Sequence, residues 1–186
     1  VLSWAVLGLV ATPAPEAHSS LRIATSLLHL SVAFSFLRRG PQRLQASVSQ
    51  LLTALPSLAI CGLAWRWSPP PSAWPGAATS LFLMGAALAI SAVLALGPCF
   101  AVLPAYRGLV VRGPYRFLRH PIYLGELVLV GACVLAGSEP AALALFFLAI
   151  LSVLPRIFAE EDLLKHDGAY RRYESAVPFR LVPGLW

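Results

Sequence analysis

Long apolar stretches alternate with short polar punctuation along this chain, and four of the stretches carry almost no charge: Ala46 to Trp65, Gly76 to Leu96, Pro121 to Gly137 and Pro140 to Phe158. A helix needs about 20 mostly apolar residues to cross a bilayer core, so each is predicted to span. Leu21 to Leu37 makes a fifth, diluted by His29, serines and a threonine. The opening run, Val1 to Ala11, is too short to span alone and reads as a truncated helix, a re-entrant piece or a trimmed signal. The fold class that follows is all-α: a polytopic transmembrane bundle of about five spanning helices with a C-terminal polar segment.

Punctuation sets the connections. Ser68-Pro69-Pro70-Pro71-Ser72 and Trp74-Pro75 form a stiff loop, with Trp65, Trp67 and Trp74 as interfacial anchors. Gly137-Ser138-Glu139-Pro140 is short enough to make the last two long helices an antiparallel hairpin. Pro56 and Pro155 fall inside helical stretches, where each removes a backbone hydrogen bond and favours a kink.

Composition agrees with this picture and changes nothing in it. Hydrophobic residues make up 58% and charged residues 12%, with mean hydropathy +0.75, whereas soluble domains carry about 25% charged residues. Its 186 residues suit one bundle and leave no room for a second soluble domain.

Charge adds an orientation. Arg38, Arg39 and Arg43, then Arg107, Arg112, Arg116 and Arg119, then Arg156, Lys165, Arg171, Arg172 and Arg180 all fall on one side of a five-helix topology, leaving Arg22 and Arg66 for the other. The positive-inside bias therefore predicts an integral, multi-pass protein whose C-terminus and polar clusters are cytoplasmic. Membrane lipids account for the net charge of +6. No nucleic-acid module is visible, and nothing calls for an obligate protein partner. Cys61, Cys99 and Cys133 show no CxxC or Cys/His ligand spacing, which argues against a disulfide framework or a metal site.

Two polar clusters stand out, at the two ends of the predicted hairpin that share a membrane side. The first is Gly113-Pro-Tyr-Arg-Phe-Leu-Arg-His-Pro-Ile-Tyr-Leu-Gly-Glu126. Pro121 suits the first turn of a helix, which puts Arg119 and His120 at its start and Tyr123 and Glu126 on one face. A helix N-terminus favours anions, and Arg116, Arg119 and His120 would add cationic groups for a carboxylate or phosphate. Glu126 is an ionisable group inside an apolar helix, a functional candidate by default, or else a partner for Arg116 or Arg156. The second cluster runs from Arg156 to Leu164. Arg156 and Glu160 are one turn apart, and the acids Glu160, Glu161 and Asp162 oppose the macrodipole at the helix end unless a cation compensates them. Such a pair of clusters suits a ligand carrying both charges. The competing reading is a solvated helix end with an intrahelical Arg156–Glu160 pair.

The run GPYRFLRHPIYLGE, with Arg156-x-x-x-Glu160-Glu161-x-x-Leu164 and Tyr170-x-x-Tyr173, resembles the isoprenylcysteine carboxyl methyltransferase family over roughly Leu96 to Pro183. The resemblance implies S-adenosylmethionine as methyl donor, with a cofactor pocket built from the last two helices and the C-terminal segment. It assigns the cofactor to His120, Tyr123, Gly125 and Glu160, with Tyr115, Arg119, Pro121 and Glu161 around them. Arg156 and Glu160 then border the reacting centre as the catalytic pair. Residues 98–186 would form the methyltransferase-like region, and residues 1–97 the side that meets a lipophilic or small methyl acceptor, such as a prenylcysteine-type carboxylate. The Arg-His-Pro-x-Tyr pattern is also similar to the C-terminal ends of membrane sterol reductases, which implies NADPH instead. A non-enzymatic membrane accessory protein is the third reading.

Overall fold

The computed structural model describes residues 19–137 and 140–186; the expectation for Val1 to Ala11 lies outside them. The chain folds as α1 (Ser19–Leu37), β1 (Leu44–Gln45), α2 (Val48–Leu52), α3 (Ala54–Trp67), α4 (Gly76–Leu96), β2 (Ala105–Tyr106), α5 (Pro121–Ala136), α6 (Pro140–Leu164) and α7 (Gly168–Ala176), with single 3-10 turns at Pro71–Ala73, Gly97–Cys99 and Gly113–Arg116. Four segments among the described residues are long and apolar enough to cross a membrane: Ser20–Leu37, Val48–Trp67, Gly76–Cys99 and Ala142–Leu164. The fifth apolar helix, α5, has only 16 residues. This is an all-α polytopic bundle, and the protein is an integral membrane protein.

Most element boundaries follow from local chemistry. Pro75 and Gly97 bracket α4, and Gly97 takes a positive φ of 52°, a conformation glycine adopts without a Cβ penalty. The predicted Ala46 to Trp65 helix is instead broken at Thr53. Ser47 caps α2 through a capping box with Gln50. Pro56 consequently falls in the first turn of α3, where its missing N–H leaves no gap in the hydrogen-bond ladder. Trp67 stays exposed, whereas Trp74 turns inward, packing on Phe82 and Trp65 while its Nε1 donates to the Pro69 carbonyl at 2.9 Å.

The core is held by close helix approach. A Cβ added at Gly125 of α5 would sit 3.0 Å from both the Cβ and the backbone nitrogen of Ala89 on α4, and one at Gly85 would sit 2.9 Å from Val128. Small residues at such crossings let backbones approach and gain dispersion contacts. Antiparallel β1 and β2 pair Leu44 with Tyr106 and Gln45 with Ala105, tying the end of α1 to the segment that follows α4.

Candidate functional site

The hairpin of α5 and α6 brings the two clusters together, and the C-terminal segment closes over them. Backbone N–H groups of Arg119 and His120 donate to the carbonyls of Phe179 and Arg180, each at 2.9 Å. These two donors precede the α5 ladder and would otherwise lack partners. Tyr173 of α7 donates to the Tyr115 carbonyl at 2.8 Å. Asp167 caps α7 by accepting from the Ala169 N–H at 2.9 Å, and it accepts a second bond from the Tyr106 hydroxyl.

Adjacent acids on α6 then do different things. Glu161, 1% exposed, faces away from the cavity into a cationic cluster: Arg119 Nη1 and His120 Nε2 each lie 3.2 Å from it, and Arg180 Nη2 lies 2.9 Å away. A buried carboxylate needs this pairing to offset its desolvation. Glu160 lines the cavity, accepts from the Tyr123 hydroxyl, and sits 3.6 Å from His120 Nδ1. Burial works against protonating His120, but the hydrogen bonds and charges of Glu160 and Glu161 outweigh it and hold its pKa above the ordinary imidazole value. His120 also stacks on the Tyr123 ring.

Arg156, 4% exposed, points across the hairpin. Nη1 lies 3.5 Å from Glu126 and donates to Ser57 Oγ at 2.9 Å, while Nη2 donates to the Val102 carbonyl at 2.7 Å. The guanidinium rests 4.7 Å from the Tyr123 ring centroid, a favourable cation–π position. Its ion pair is thus with Glu126 on the neighbouring helix, and the intrahelical pair with Glu160 is not formed. Glu126 also accepts from the Cys61 thiol at 3.2 Å.

A cavity of about 300 Å³ joins these groups. Its wall combines apolar side chains, among them Leu28 and Val32 of α1, Leu58 of α3 and Val93 of α4, with Arg119, His120, Tyr123, Glu126, Arg156 and Glu160, and with Tyr115, Tyr170 and Tyr173. Burial raises the hydroxyl pKa of all three tyrosines, that of Tyr173 to about 12, so they stay neutral.

Of the residues singled out from sequence, Tyr115, Arg119, His120, Tyr123, Arg156 and Glu160 all line this cavity. Three do not. Pro121 is buried as the first residue of α5, Gly125 faces α4 at the helix crossing, and Glu161 is enclosed by its three cations. Arg116 is exposed and outside the cavity wall. Sequence reading did not single out Arg180, Glu174 or Ser57. Glu174 meets Arg119 at 2.5 Å and Ser57 meets Arg156, both through contacts between segments far apart in the chain.

The chain shares 33% identity over 84 residues with the Delta(14)-sterol reductase TM7SF2 of Mus musculus, an alignment covering 43% of this chain and 20% of that protein. It therefore spans about a fifth of that relative's length. Residues 75–169 match the family model for phospholipid methyltransferase. That match takes in α4, α5 and α6 together with every Arg and Glu that lines the cavity, and the chain belongs to the phospholipid methyltransferase family.

Proposed function

We propose that the protein is an S-adenosylmethionine-dependent membrane methyltransferase acting on a lipophilic or small acceptor. The observation that carries this reading is one cavity whose wall joins apolar side chains of α1, α3 and α4 to polar groups of both charge signs. Its residues suit the donor. Glu160 offers a carboxylate for an ammonium group, and Arg119 lines the same cavity and keeps a buried Nε without a hydrogen-bond partner among the described residues. S-adenosylmethionine supplies an electrophilic methyl group on a sulfonium, so no metal or covalent enzyme intermediate is required.

The protein's own part is orientation and exclusion of water. His120 and Tyr123 fix the Glu160 carboxylate from two directions. Arg156, held by Ser57, Val102 and Glu126, presents a fixed guanidinium to the same cavity, where it would orient an acceptor's reacting end. Positioning of this kind supplies effective molarities of about 10⁵ to 10⁸ M. The family match adds phospholipid amines to the acceptors worth testing, and the isoprenylcysteine carboxyl methyltransferase resemblance adds a prenylcysteine-type carboxylate.

The test is binding followed by turnover. S-adenosylmethionine or its demethylated product should raise the melting temperature in detergent, and isotopically labelled donor should yield a methylated lipid by mass spectrometry. Glu160→Gln should weaken donor binding about 10- to 100-fold, the worth of one charge-assisted hydrogen bond. The sterol reductase relative supports a second reading, an NADPH-dependent reductase. A melt raised by NADPH and unmoved by donor and product would replace the first reading with the second.

A further inference from the structure

Behind the segment 101–105 lies a second cavity, about 470 Å³ and open to one side, at the end of the bundle where α1 finishes. Arg39 and Arg107 line it, with Gln42 and Gln45 beside them, and Phe36, Leu51 and Leu103 form its apolar wall; no Asp or Glu is among its lining residues. Arg107 is anchored, because its Nη1 donates to the Gly40 carbonyl. Its Nε is buried without a hydrogen-bond partner among the described residues. Arg39 stacks on Phe36, with its guanidinium carbon 5.3 Å from the ring centroid. Burial first, and then the Arg39 charge, depress the Arg107 guanidinium below its ordinary pKa. The two cations therefore repel across the groove, and an anion between them would turn that repulsion into attraction.

We propose that this groove binds the phosphate of an anionic lipid headgroup between Arg39 and Arg107, with the lipid's apolar part along Phe36, Leu51 and Leu103. Guanidinium forks match phosphate oxygens, and basic residues at the end of a spanning helix meet headgroups at the membrane surface. The apolar wall favours a lipid over free phosphate. The site also has a line of influence to the first cavity. Val102 belongs to the walls of both, and its carbonyl accepts from Arg156 Nη2. A headgroup that steadies this segment steadies the residue that positions Arg156. None of this depends on methyl transfer.

The experiment uses the full chain in detergent, with short-chain phosphatidylglycerol, short-chain phosphatidylcholine and inorganic phosphate as probes, read by native mass spectrometry and thermal melting. Phosphatidylglycerol should bind about tenfold or more tightly than either of the others, and Arg39→Gln should remove that preference. Arg39 is exposed and makes no ion pair among the described residues, so this variant keeps the fold. Arg107→Lys, which retains a donor for Gly40, should weaken phosphatidylglycerol less than Arg39→Gln combined with it. Unchanged preference in Arg39→Gln overturns the proposal. So does inorganic phosphate binding as tightly as the lipid, which would make this a free-anion site.

Discussion

Arg156 on α6 places Nη1 3.5 Å from a carboxylate oxygen of Glu126 on α5, so the two charges that the hairpin carries into its apolar interior neutralise one another. Their side chains are 5% and 16% exposed. Glu126→Gln should therefore destabilise the protein by about 3–5 kcal/mol, because it leaves the Arg156 charge buried and unpaired. Adding Arg156→Met should recover part of that loss. A double-mutant cycle on detergent unfolding measures the coupling, and additive effects would show that the pair does not act as a unit.

Arg156→Lys isolates a different property. One guanidinium reaches Ser57 through Nη1 and Val102 through Nη2, and an ammonium cannot reproduce that fork. Turnover should fall by more than donor affinity, since misplacement at the reacting centre costs orientation. Equal losses in both would move Arg156 into the donor's own binding shell.

Gly125 tests helix packing. Its missing Cβ leaves room for the Ala89 backbone of α4, so Gly125→Val should cost about 1–3 kcal/mol by overpacking. Gly131→Ala meets only the flexible edge of Phe146 at 3.4 Å and should be nearly neutral. Thermal melts of the two variants compare a backbone obstruction with a side-chain one.

His120 gives the fold a pH dependence of defined sign. Its folded pKa is raised above the unfolded value of about 6.5. The stabilisation it gains from Glu160 and Glu161 is therefore complete below that pH and is lost as pH rises through the folded pKa. Melting temperature should fall across that upper window, and His120→Asn should flatten the profile there.

Orientation is tested from outside the cell. Ser175→Cys, on a background without Cys61, Cys99 and Cys133, places a thiol on exposed α7. A membrane-impermeant reagent added to intact cells should leave it unlabelled if the basic residues face the cytoplasm.

Much of this fold was legible from local chemistry alone. The bounds of α4 match because Pro75 and Gly97 are strong signals that need no tertiary help. The apolar stretch of α6 was read as Pro140 to Phe158 with Glu160, Glu161 and Asp162 at the helix exit, and the helix runs to Leu164. Acids at a helix end oppose the macrodipole, and only Arg119, His120 and Arg180, brought from elsewhere in the chain, offset that penalty for Glu161. The pairing of Arg156 with Glu126 was one of two options, and the choice depended on how α5 and α6 pack. Gly125 was drawn toward the cofactor by resemblance. The Gly85-x-x-x-Ala89 spacing on α4 was the available clue that a small residue opposite it serves helix contact.

The short length of α5 has a consequence for depth. Sixteen residues of α-helix rise about 24 Å, whereas a typical hydrocarbon core is about 30 Å thick. With its Ala136 end at one boundary, the Pro121 end stops several ångströms short of the other, and the bilayer must thin or admit water there. Arg119, His120 and Glu160 would then form a recessed polar well inside the leaflet. A lipid could present its reactive end to that well without being lifted from the membrane, while the water-borne reactant makes the descent.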